Sequence, residues 1–111
     1  MWIMIGGPYT SGALNEHDRQ SNLNVMNEAA LVVFEKGHVP IIGVNLALPI
    51  IAVAGLSRFE EIMMPVSLAA ADRCDAFLRV GGPSVGADQE RDKFIARGQP
   101  VFNSLDELPE A

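Results

Sequence analysis

Short apolar runs that stop at glycine and alternate with helical segments constrain this chain more than any other feature. Residues 2–5 (Trp-Ile-Met-Ile) end at Gly6-Gly7-Pro8, and residues 76–80 (Ala-Phe-Leu-Arg-Val) end at Gly81-Gly82-Pro83. Runs of that length, closed by glycine and proline, read as buried strands. Residues 38–42 and 100–102 supply two more. Ser21 reads as the N-cap of a first helix, with Leu23, Met26, Ala30 and Val33 on one face and Gly37 as its left-handed stop. Residues 9–20 then form a long polar loop, and long loops in small domains often carry function. Beyond residues 45–49 a short apolar helix ends near Gly55. Residues 59–71 read as a helix that Pro65 must kink or split. Residues 87–97 form another, stopped by Gly98, and Ser104-Leu105-Asp106-Glu107 is a capping box for a final turn.

Strands alternating with helices imply a parallel sheet, right-handed crossovers and helices on both faces. The expectation is an α/β fold, a three-layer doubly wound parallel sheet of flavodoxin-like order. Ligands in such folds sit beyond the carboxyl ends of the strands, where the strand order reverses. The loops at residues 6–9 and 81–86 both leave strands at that edge and would border one crevice.

The 111 residues fit a single domain, 1–111. At 49% hydrophobic and 20% charged, the chain can fill a core. Eight Lys and Arg against fourteen Asp and Glu give a net charge of −6. That charge repels a phosphate backbone, so no nucleic acid polymer is expected as a partner. Small anions remain within reach of the free N–H groups at a helix start. The lone cysteine, Cys74, excludes an internal disulfide and an all-cysteine metal site. Neither His17 nor His38 has a second ligand at metal spacing, so no metal and no cofactor is expected. The opening residues lack the basic start and the length of a signal peptide. Together with a reduced thiol this points to the cytoplasm. Residues 39–56 run eighteen positions without a charge, the lower limit for a membrane span. Pro40, Gly43, Asn45, Pro49 and Gly55 interrupt them, so the expectation is a buried strand plus an apolar segment and no membrane. The surplus apolar surface is expected to cover an interface in a homodimer or higher homo-oligomer.

Residues 75–90 hold the chemistry: a strand, a glycine loop and a helix start. Free N–H groups and the positive helix end favour a phosphate or carboxylate there. Ser84 is placed to cap the helix or to donate its hydroxyl to an anion. Glu90 shares a helical stripe with Ala87 and Phe94, three before it and four after. If Phe94 faces the sheet, Glu90 points inward at the crevice mouth, whereas Asp88, Arg91 and Asp92 turn toward water. An inward carboxylate beside an anion site suits attack on an electrophilic sugar carbon. First-turn carboxylates and serine caps also have a purely structural reading. Tyr9, the single tyrosine, follows Gly-Gly-Pro at a strand end, where ligand stacking and loop packing are equal readings. Thr10 and Ser11 read as turn formers, His17 as solvated, His38 as structural, and Cys74 as a buried inert thiol. Met63 and Met64 read as core or interface filler, and Trp2 as half-buried.

Asp75-Ala76-Phe77, then Ser84-x-Gly86-x-x-x-Glu90, then Gly98-Gln99-Pro100-Val101 together resemble the nucleoside 2-deoxyribosyltransferase-like superfamily, especially its small bacterial and phage members. The opening Ile5-Gly6-Gly7-Pro8-Tyr9 and the turn Gly37-His38-Val39-Pro40 are similar too. The resemblance implies cleavage of the N-glycosidic bond of 2′-deoxynucleosides or their 5′-monophosphates, with the sugar passed to water or to another base. It implies Glu90 as the nucleophile that forms a covalent glycosyl-enzyme. Ser84 would bind a 5′-phosphate, and Tyr9 would orient the nucleophile or the sugar. Gly6, Gly7, Pro8, Gly81, Gly82 and Gly86 would complete the substrate-binding loops. Neighbouring subunits often complete the site in that family. One position departs from the pattern. The aspartate that helps to protonate the leaving base falls at Ser67, and Asp72, five residues later, is the nearest substitute. A glycosidic bond to a purine or pyrimidine breaks badly without such protonation. Three readings follow: an N-deoxyribosyl hydrolase or transferase, a nucleotide- or metabolite-binding module without turnover, and an assembly role for the apolar segment.

Overall fold

Side chains along a strand alternate between the two faces of its sheet, and that alternation sorts the core of this protein. The computed structural model describes residues 1–111. Strands β1 (Trp2–Gly6), β2 (Val39–Ile41), β3 (Ala76–Arg79) and β4 (Val101–Phe102) form one sheet, all parallel, in the order β2-β1-β3-β4. Four helices connect and cover them: α1 (Glu16–Glu35), α2 (Gly43–Ala54), α3 (Phe59–Ala71) and α4 (Val85–Ala96). Ile3 and Ile5 of β1, with Ala76 and Leu78 of β3, face Leu23, Met26, Ala29 and Val33 of α1. Met4 and Phe77 point the other way, against Ala71, Cys74 and Phe94. Phe77 and Phe94 are both fully buried, their ring centroids 5.4 Å apart. Truncating either to alanine would cost roughly 3–5 kcal/mol. A third cluster, Ala47, Ile51, Ile62 and Met63, joins α2 to α3. The result is a three-layer α/β sandwich of flavodoxin-like strand order, with α1 on one face of the sheet and α3 and α4 on the other.

Several boundaries differ from the expectation. α1 starts at Glu16, not after Ser21, because Asn15 caps it: its Oδ1 accepts from the amide of Asp18 at 2.9 Å. His17 therefore lies on an exposed helical face rather than in a loop. α2 starts at Gly43 and runs through Pro49, and α3 runs unbroken through Pro65. A proline inside a helix orphans the carbonyl four residues before it. Here those carbonyls belong to Asn45 and Glu61, and both residues, like both prolines, are exposed, so water can satisfy them. The last turn is a short 3-10 helix, Leu105–Glu107, without a side-chain cap from Ser104. Glu107 instead accepts from the amide of Asn103 at 2.8 Å. His38 is structural: it is 4% exposed, and its Nε2 lies 2.6 Å from the Pro109 carbonyl. No helix is long and apolar enough to cross a membrane.

Candidate active site

The chain leaves β1 for β2 on one side, then returns past β1 to β3, so the strand order reverses between β1 and β3. Beyond the carboxyl ends of these two strands lies a cleft of about 260 Å³. One wall is the loop after β1, another the start of α4, and the third the first half of α3.

Ser84 has an extended backbone, and its Oγ accepts from the Ala87 amide at 3.1 Å, which fixes the start of α4. From that start, Ala87, Glu90 and Phe94 fall on the buried face. Phe94 is driven under the sheet by its apolar surface, and Glu90 is carried inward with it. Glu90 is only 6% exposed and lines the cleft. No protein donor hydrogen-bonds its carboxyl, and no cation pairs with it. Burial pushes this carboxyl up to about 7, against a smaller opposing pull from Arg79. Arg79 is occupied elsewhere: Nη1 donates to Asp88 at 2.8 Å and Nη2 to the Gly82 carbonyl at 3.0 Å. An inward carboxyl with a raised pKa and no partner suits nucleophilic or acid–base work.

The two Gly-Gly-Pro loops divide between lining and support. Gly7, Ser84 and Gly86 line the cleft, while Gly6, Pro8, Gly81 and Gly82, expected as substrate contacts, do not. Gly6 is needed for space: a Cβ there would lie 2.9 Å from Oε1 of Glu90 and would overlap the Phe77 ring. Gly81 is needed for conformation, with φ at +71°, and it sits against the ring of Pro8. By helix geometry the first amides of α4, at Val85 and Gly86, have no acceptor within the helix. Val85, Gly86 and Ser84 all line the cleft, as do the hydroxyl-bearing Thr10 and Ser11 of the loop after β1.

Tyr9 lines the cleft, and its ring lies nearly parallel to that of Phe59, centroids 6.4 Å apart. It makes no hydrogen bond to Glu90. Burial raises the Tyr9 phenol above its ordinary value, and the Glu16 charge adds to that. Its backbone carbonyl accepts from Nδ2 of Asn22 at 2.9 Å, anchoring the loop to α1.

Asp72 does not reach the cleft, which corrects its assignment as a catalytic group. It caps the far end of α3, where its carboxylate accepts from Nζ of Lys93 at 2.8 Å and from Nη1 of Arg97 at 3.0 Å. The hydrogen bond from Lys93 holds its pKa below the usual carboxylate range. The reason is the unbroken helix. Five residues separate Ser67 from Asp72, which rotates the side chain about 140° around the axis. Ser67, by contrast, does line the cleft. It is 2% exposed, its Oγ sits against Gly43, and its one polar neighbour is Sδ of Met63 at 4.0 Å.

The sequence reading missed most of the α3 wall. Glu60, Met63, Met64 and Ser67 all line the cleft, and they stand at i, i+3, i+4 and i+7 of one helix. That spacing was the available signal, and Pro65 obscured it. Phe59 and Gln89 were also not singled out, and both line the cleft. A second lobe of about 440 Å³ continues past Tyr9 and Phe59 toward Glu16, Arg19 and Leu56. Its one cation, Arg19, is held by Glu16 at 2.8 Å. No group of three His, Cys, Asp or Glu side chains is arranged to hold a metal ion. Comparison with family models finds no match for this chain, and comparison with curated proteins finds no relative.

Proposed function

We propose that this protein cleaves the N-glycosidic bond of a nucleoside or its 5′-monophosphate, with Glu90 as the nucleophile. The observation that carries the reading is the Glu90 carboxyl: 6% exposed, unpartnered and at the wall of a cleft at the switch point. In this reading a carboxylate oxygen attacks C1′ and the base departs. A water then displaces the glycosyl ester, or a second base does so in transfer. The Ser84 hydroxyl and the free amides of Val85 and Gly86 hold the sugar or its phosphate. Tyr9 forms the aromatic edge against which the substrate lies. The resemblance to nucleoside 2-deoxyribosyltransferase-like enzymes supports the same assignment of Glu90, Ser84 and Tyr9.

Chromatography of free base after incubation with 2′-deoxynucleosides and their monophosphates tests it. Release should be abolished by Glu90→Gln and unchanged by Asp72→Asn. Equal release from wild type and the Glu90 variant would remove Glu90 from the chemistry. A second reading, a nucleotide- or metabolite-binding module without turnover, is favoured by one observation: the position that the resemblance assigns to an acid is Ser67, a hydroxyl in the cleft wall, and Asp72 is tied up outside. Saturable binding by calorimetry with no base released would establish it. The reduced, buried Cys74 fits a cytoplasmic setting for either reading.

A further inference from the structure

We infer that the cleft takes an N-glycoside whose base already carries a fixed positive charge, such as a pyridinium or N7-alkylpurinium nucleoside, rather than a neutral nucleoside. The inference rests on the reading of Glu90 as the group that attacks C1′ and deepens it by naming the leaving group. Two independent features of the cleft carry it.

The first is that, beyond Glu90, the cleft lining offers no free, buried acid to protonate a leaving base. A neutral purine or pyrimidine departs as an anion unless a proton reaches it, and a positioned acid contributes roughly 10²–10⁴-fold. The ionisable side chains lining the cleft are Tyr9, Glu60 and Glu90. Glu90 is committed as the nucleophile. Tyr9 is a phenol whose proton is held more tightly than usual. Glu60 stands exposed at the rim. Ser67 occupies the inner wall with a hydroxyl that is no acid at neutral pH. A cationic base needs no proton, because it leaves as a neutral molecule.

The second is charge. Both charged side chains lining the cleft are carboxylates, and no lysine or arginine lines it. The single arginine of the adjoining lobe is neutralised by Glu16, and Arg79 behind Glu90 by Asp88. The parallel rings of Tyr9 and Phe59 add two π-faces at the junction of the lobes, and aromatic faces attract cations. A cation in this place also favours the ionised form of Glu90, which the nucleophile must adopt.

The step balances without a co-reactant other than water. Oε of Glu90 bonds to C1′ as the C1′–N bond breaks, and the bonding pair moves to the ring nitrogen and discharges it. Water then attacks C1′, the Glu90 carboxylate leaves, and one proton goes to solvent. Each turnover of a cationic substrate therefore releases a proton, whereas hydrolysis of a neutral nucleoside releases none.

The test compares nicotinamide riboside and its 2′-deoxy analogue with thymidine and 2′-deoxyadenosine. Free base is followed by chromatography and proton release by pH-stat, and kcat/KM is compared between the two pairs. The expected result is a kcat/KM on the pyridinium compounds at least about 100-fold above that on the neutral pair. One proton should appear per base, all activity should be lost in Glu90→Gln, and Glu60→Gln should raise KM severalfold for the cations only. Equal or greater kcat/KM on the neutral nucleosides overturns the inference while leaving Glu90 as nucleophile. No base release from any of the four compounds overturns both.

Discussion

Glu90 illustrates how a carboxyl is held against its own solvation. Its ordinary pKa of 4.5 is raised to about 7 in the folded protein, so between those values the native state binds more protons than the unfolded chain. Stability then falls as pH rises from about 4.5 to about 7, and it levels off above that. The shift corresponds to an upper figure of about 3 kcal/mol. Glu90→Gln removes the titration. Urea unfolding should show the variant more stable than wild type by about 1–3 kcal/mol at pH 8, with little difference at pH 4. A variant less stable than wild type at pH 8 would mean that an unseen partner stabilises the carboxylate. Base release by wild type should rise with pH through about 7, as the nucleophile ionises. The inward direction of Glu90 was legible from the sequence, because Phe94 one turn later had to face the sheet. The position of Asp72 was not, because it depended on whether α3 survives Pro65.

At the scale of the element, α4 does two things at once: its cap fixes the register of Glu90, and its first residues, Val85 and Gly86, line the cleft. Ser84→Ala should cost about 1 kcal/mol of stability. It should also weaken nucleotide binding by more than that loss accounts for, measured as KM against Tm in the same variant. A fall in Tm with KM unchanged would confine Ser84 to capping. The helix ends show where local pattern reading works and where it fails. Ser84 as N-cap and Gly37 as a left-handed stop were read correctly, because one residue type decides each geometry. The start of α1 was misplaced, because Asn15-Glu16-His17-Asp18 looks polar enough for a loop, yet it holds a cap and an acidic first turn. The prolines of α2 and α3 were over-weighted. An interior proline costs a hydrogen bond and a ring clash, but here Pro49 and Pro65, with Asn45 and Glu61 four residues before them, lie on exposed faces where water can take the orphaned carbonyl.

Across the whole molecule, the parallel sheet and the cleft at its strand ends followed from the alternation of apolar runs and glycine turns. Parallel neighbours require crossovers, and the crossovers have one hand. What the pattern left unassigned is the α3 wall: the spacing of Glu60, Met63, Met64 and Ser67 marks one face, but that this face borders the cleft depends on how α3 packs against α2. α2 carries no charge, and Leu46, Ile50 and Val53 on it are exposed, with Leu56 just beyond. Such a face favours self-association. Sedimentation should find a dimer or larger species that Val53→Glu shifts toward monomer with the fold retained. A monomeric wild type at tens of micromolar would remove that role from α2.

Cys74 lies at the opposite pole from the cleft, in the layer that holds Phe77 and Phe94. It is 3% exposed, and burial pushes its thiol up to about 11. An alkylating reagent can therefore reach it only during moments when that layer opens. A compound gripped between α3 and α4 should make those moments rarer in proportion to its affinity. The rate of labelling at this one sulfur thus doubles as a ligand detector, able to screen a library for occupants before any turnover is known.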